Sequence, residues 1–140
     1  MKKNEQFFVQ ATLTSEQARV VVDALDLYSR VHIGQFNIIA EQFMKIDRTE
    51  ELNMLLTRAR QICFPELSAS LGHSYGIVAC PTESGRIAWD VHQVIRRTEA
   101  YGRAPEGGMG VQFNTPMFVS KSVPRPVAKN VNILDRLADI

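Results

Sequence analysis

Cysteine is scarce in this chain: Cys63 and Cys80 stand alone, with no C-x-x-C and no second pair. That removes the usual zinc ligand sets and makes a reduced, cytoplasmic setting the simpler expectation. No apolar run is long enough to span a bilayer, and the amino-terminal MKKNEQFF turns polar before a run of signal length. Neither secretion nor membrane insertion is therefore expected. Excess charge is missing too. A net charge of +1 removes the main argument for a nucleic-acid partner, since counterion release needs clustered surplus cations. Lysine is less frequent than arginine, which favours planar, bidentate contacts with phosphate or carboxylate over diffuse attraction. There is one tryptophan, Trp89.

What remains is an ordinary globular composition, 45% hydrophobic and 22% charged over 140 residues. It suits a single domain with a core of its own. That domain is expected over residues 1–124, followed by an extended proline-containing segment and a short carboxy-terminal helix over 125–140.

The best-patterned stretch is Ser84 to Tyr101. Helical spacing places Ile87, Val91, Val94, Ile95, Thr98 and Tyr101 on one face, which is predicted to turn inward. Trp89, His92, Gln93, Arg96 and Ala100 lie nearly opposite. An indole left in water forgoes about 2–3 kcal/mol, so this second face is predicted to meet a helix, a subunit or a ligand. Arg97 falls near Asp90, where an intrahelical pair would occupy it.

Upstream, Phe7 to Leu13 alternates as a strand does, and Thr14-Ser15-Glu16-Gln17 fits a capping box that starts a helix running to about Arg30. That helix is apolar on two stripes, Ala18-Val21-Val22-Leu25-Tyr28 and Val20-Ala24-Leu27-Val31, as expected of a central helix or one shared with a partner chain. Gly34 marks a break before a helix over Gln35 to Ile46. A third helix begins at a cap on Asp47 or Thr49 and ends at Phe64-Pro65. Gly72 to Gly76 reads as a structured turn carrying His73, Ser74 and Tyr75, either a site-forming loop or a plain polar connection. Thr82 or Ser84 caps the organising helix and Gly102 is predicted to end it. Val111–Phe113 and Met117–Ser120 form a predicted hairpin that would pair with the amino-terminal strand. The predicted fold class is thus α+β, mainly helical with a small antiparallel sheet. NILDRLADI is predicted to form the short terminal helix, which needs docking, as on another protomer, because its apolar face is small.

No local motif specifies a reaction. His32, His73 and His92 have no metal-ligand spacing, Ser74 beside His73 is not a triad, and Gly107, Gly108 and Gly110 lack the lysine and helix of a phosphate loop. No metal and no cofactor is expected. The stronger constellation is distributed: Trp89 as a stacking plane, Gln93 as donor and acceptor, Arg96 as a fork, His92 beside them, and His73, Ser74 and Tyr75 from the loop, joined by Tyr28, Arg30 and Gln35. These groups suit a planar base carrying a phosphate. The alternative is a helix packed on a helix, with Trp89 as core.

The segments LTSEQARVVVDALDLYSR, GQF, PEL, HSYGI, WDVHQVIR and PEGGMGVQF, spread over roughly residues 12 to 113, resemble a group of small tailed-bacteriophage accessory proteins of unknown function. The resemblance implies an accessory product acting in the host bacterial cytoplasm against host enzymes or defences. Together with the constellation, it leads to an expected homo-oligomer that sequesters a nucleotide-derived signal, of cyclic nucleotide or ADP-ribose type, without turnover. A protein-binding inhibitor of a host enzyme is one rival reading, and a nucleotide hydrolase using His73 or His92 is another.

Overall fold

The computed structural model describes residues 7–43, 48–67, 73–132 and 134. It contains four α-helices: α1 (Ser15–His32), α2 (Asn37–Glu41), α3 (Thr49–Cys63) and α4 (Glu83–Arg103), with single 3₁₀ turns at Ile77–Ala79 and Val111–Phe113. Among the described residues there is no strand, so the α+β expectation is corrected to a small all-helical domain. Among the described residues, no helix is long and apolar enough to cross a membrane.

The α1 start follows the capping box. Thr14 Oγ1 accepts from the Gln17 backbone N–H at 3.2 Å, and Gln17 Oε1 accepts from Thr14 N–H at 2.9 Å. At its other end Gly34 turns the chain with φ +87, and a Cβ there would lie 2.6 Å from Leu67 Cδ1, so glycine is required. The second helix is shorter than predicted, Asn37–Glu41: Gln35, Phe36, Gln42 and Phe43 lie outside it, and 44–46 fall outside the described residues. Neither predicted cap starts α3: Arg48 holds the cap position without a side-chain hydrogen bond.

Helices α1 and α4 run antiparallel. Ser15 Oγ and Arg19 Nε, at the start of α1, reach Glu99 Oε1 near the end of α4 at 2.6 and 3.2 Å. His32 Nδ1, at the end of α1, meets Thr82 Oγ1, the N-cap of α4, at 2.5 Å. Between them α4 turns Gly85, Ala88, His92 and Ala100 inward, all buried. Small side chains at 85, 88 and 100 let the axes approach, which explains why the face toward α1 is not the apolar one predicted. Of the predicted inward stripe only Val94 is buried; Ile87, Val91, Ile95, Thr98 and Tyr101 are half-covered.

The carboxy-terminal segment covers α4 instead of pairing with itself. Buried Asp90 accepts from the backbone N–H groups of Val119 and Ser120 at 2.8 and 3.0 Å, and Glu83 Oε1 accepts from Ser120 Oγ and Ser122 Oγ at 2.5 Å each. The chain then doubles back: Thr98 Oγ1 donates to Ala128 O at 3.5 Å, and Asn130 Nδ2 donates to Thr98 O at 2.9 Å. Here lies the reason the hairpin is absent. The Asp90 carboxylate takes the N–H groups a ladder would need, and Val111–Phe113 winds into a 3₁₀ turn closed by Asn114 N–H on Val111 O at 3.1 Å. Residues 7–13 form no regular element and are exposed, Leu13 least among the large apolar ones at 41%.

Asp90 is consequently not paired with Arg97, whose guanidinium lies 5.1 Å from the Tyr101 ring centroid. Nor does Gly102 end α4. The helix continues to Arg103 and stops at Ala104, which precedes Pro105 and adopts φ −133, ψ 80. Leu134 is the sole described residue beyond Asn132, so the predicted terminal helix falls outside what is described.

Candidate functional site

A cleft of about 320 Å³ opens where the end of α1, the loop before α4 and the first half of α4 meet. Its walls are Ser29, Arg30, Ile33, Gln35, Ser74, Tyr75, Gly76, Ile77 and Trp89. Five of the ten residues predicted from sequence are thus brought together: Arg30, Gln35, Ser74, Tyr75 and Trp89.

A hydrogen-bonded relay fixes the polar wall. Arg30 lies one turn after Asp26, and its Nε donates to both Asp26 carboxylate oxygens at 3.0 Å. Arg30 Nη1 donates to Gln35 Oε1 at 2.9 Å, and Gln35 Nε2 donates to Ser74 Oγ at 3.2 Å. The relay holds the guanidinium plane and leaves Arg30 Nη2 without a protein partner among the described residues. The chain reversal at Gly34 is what returns Gln35 to Arg30, its N–H donating to Arg30 O at 2.9 Å.

The loop wall is tied at several points. Tyr75 N–H donates to Ile33 O at 2.9 Å, Arg60 Nη1 of α3 donates to His73 O, and the Tyr75 hydroxyl donates to Glu66. Phe64 meets both Phe36 and Tyr75 edge to face, at 5.9 and 6.0 Å between centroids. That hydrogen bond holds the Glu66 carboxyl below its ordinary range and raises the Tyr75 phenol. The third wall is the indole of Trp89, half-buried, with Nε1 donating to Met117 O at 3.2 Å. Its ring lies 5.5 Å from that of His92.

The other five predicted residues lie elsewhere. His92 and Gln93 are buried between the helices, 3% and 7% exposed, so this part of the face packs within its own chain, not against a ligand or a second subunit. His92 Nε2 stands 3.9 Å from Asp26 Oδ1, and burial, then Arg96, pushes its pKa below the ordinary value, which favours the neutral imidazole. Arg96 reaches Val111 O through Nη2 at 3.4 Å, while its buried Nε finds no acceptor. Burial lowers its pKa as well. Tyr28 stacks on His32 at 4.3 Å, and His73 is exposed, joined to α3 only through its backbone carbonyl. None of these five lines the cleft.

Ser29, Ile33 and Ile77 are cleft residues that sequence reasoning missed, whereas Gly76 closes the loop it singled out. Ile33 and Ile77 read there as ordinary apolar positions flanking glycines, and Ser29 as a helix residue; its hydroxyl turns back to Asp26 O at 3.0 Å. Asp26, which orients Arg30, was legible as its i−4 neighbour on the polar strip of α1. At Gly76 a Cβ would meet nothing within 4 Å, so this position borders open space.

Chemically the cleft offers a stacking plane, an apolar floor, the Ser74 hydroxyl, the Tyr75 ring, an amide and one guanidinium, the Ser29 hydroxyl being buried and spent on Asp26 O. Its lining contains no carboxylate, imidazole, thiol or amine. Comparison of the chain with protein-family models, with curated proteins and with solved structures finds no match.

Proposed function

We propose that the protein is a non-enzymatic binder of a small nucleotide-like molecule, held in the cleft between α1, the 73–77 loop and α4. The observation that carries this reading is the convergence of Trp89, Arg30, Gln35 and Ser74, from three separate parts of the chain, on one opening. Trp89 offers its ring to a planar base, and Arg30 Nη2 with the Ser74 hydroxyl offers donors to a single phosphate or carboxylate. A cleft of about 320 Å³ is at the small end of ligand sites, which favours a mononucleotide-sized ligand over a two-base molecule. Because Asp26 already neutralises much of the Arg30 charge, recognition is by shape and hydrogen bonding more than by net attraction.

Binding without turnover is supported by the lining, whose side chains include no carboxylate, imidazole or thiol to act as acid or base. In the bacteriophage setting implied by the resemblance, such a protein would withdraw a nucleotide-derived signal from a host defence. Calorimetric titration with linear and cyclic mononucleotides tests the proposal. At least one is expected to bind the parent and to be lost in both Arg30→Ala and Gly76→Leu, each retaining the parent's helical spectrum. Silence across the panel, or variants that bind as the parent does, would overturn it.

A further inference from the structure

Residues 7–14 precede α1 as an arm without regular structure that is exposed throughout, joining the helix through Thr14 in extended conformation. Phe7, Phe8 and Val9 are 82%, 81% and 84% exposed, and residues 7–13 make no hydrogen bond among the described residues. The same chain leaves a second apolar surface open. On the side of α1 turned away from α4, Val20, Ala24, Leu27 and Val31 recur at four, three and four residues, the spacing of a continuous seam. Val20 is 67% exposed, Ala24 is exposed, and Leu27 and Val31 are only half-covered.

We infer that these two surfaces are each other's partners in a second copy: the arm of one protomer lies along the outer seam of α1 in the other, and reciprocally. A two-fold axis satisfies both surfaces at once, because each copy supplies one arm and one seam. Area supports the same occupant. Phe7, Phe8, Val9 and Leu13 expose roughly 500 Å² of apolar side chain per arm. Reciprocal docking buries that area and the smaller exposed area of each seam, about 1,500 Å² in all, which is within the size range of a specific interface. The capping box supports it too, by fixing Thr14 at ψ 165 and so directing the arm off the helix end in extended form. The inference is independent of the ligand reading, since neither the arm nor Val20, Ala24 and Leu27 lines the cleft.

Sedimentation of the full chain, combined with photo-crosslinking, tests it. With a photoreactive benzoylphenylalanine replacing Phe8, a mixture of isotope-labelled and unlabelled copies is expected to give links between differently labelled chains, ending within residues 17–31. The parent is expected to sediment as a dimer or larger closed assembly, and both Phe7→Ser/Phe8→Ser and Ala24→Glu to fall to the monomer mass with the helical spectrum kept. A monomeric parent, variants that keep the parent's mass, links confined to one chain or links ending elsewhere would each overturn the exchange. The Ala24→Glu variant guards against an effect of the arm on folding, because position 24 is a solvent-facing helix site in the single chain.

Discussion

The α1–α4 pair and the α2–α3 side of the molecule are built on opposite terms. In the first, two long helices are locked end to end by Glu99, His32 and Thr82, and a doubled strap is fastened to Asp90, Glu83 and Thr98. In the second, α3 is a regular helix that leaves Met54, Leu55 and Ile62 at 70%, 62% and 67% exposure, and it reaches the loop through Arg60 and Phe64. Polar fasteners therefore hold the better-covered region, and apolar side chains remain open in the looser one. The cleft sits at the seam between the two, with rigid walls from α1 and α4 and a third wall tied to α3.

The contrast breaks most severely at Asp90. Replacing it with alanine leaves the Val119 and Ser120 N–H groups unsatisfied, and Asp90→Ala is expected to cost about 3 kcal/mol and lower the melting temperature by about 10 °C. Proteolysis within 114–130 should accelerate in parallel. A smaller effect is expected where α4 enters the helix pair: Gly85→Ala places a Cβ 2.6 Å from Cys80 Sγ and 2.8 Å from His32 Cβ, and should cost about 1–3 kcal/mol by calorimetry. The comparison is sharpened by a matched truncation. Val94→Ala removes buried volume and is expected to cost about 2 kcal/mol, whereas Leu55→Ala on the open face of α3 should stay within about 0.5 kcal/mol in denaturant titrations.

Acid should loosen the fastened region in two stages. His92 has a lowered pKa in the folded chain, chiefly through burial, so below about pH 6.5 the unfolded chain takes up the proton first and stability falls. Glu99, held to about 2 chiefly by Arg103, and Glu83, held to about 2 chiefly by Ser120, contribute stability that is present above about pH 4.5 and lost as pH falls toward 2. Thermal unfolding followed against pH should show both stages in the parent and only the second in His92→Gln.

Much of this was readable in the chain itself. The capping box at Thr14, the turn at Gly34, the stop before Pro65 and the α4 cap at Thr82 are local signals, and the structure follows them. The sheet was misjudged because alternation at Phe7–Leu13 and at Met117–Ser120 does not name a partner; that the Val119 and Ser120 N–H groups go to a carboxylate on α4 is a long-range fact. The inward face of α4 was misjudged for a related reason: apolar spacing does not reveal that small residues let α1 approach on the opposite side. In the cleft, Arg30, Gln35, Ser74, Tyr75 and Trp89 were recognisable by chemistry, while His92 and Gln93 share a stripe with Trp89 and differ from it only in what α1 covers.

The central claim, that the Trp89 cleft holds a planar ligand, is tested most directly by the fluorescence of that single indole. Titration with the nucleotide panel is expected to quench and shift the emission saturably for a ligand of mononucleotide size, with the response lost in Gly76→Leu. Emission that stays unchanged while calorimetry reports binding would place the ligand elsewhere and contradict the account.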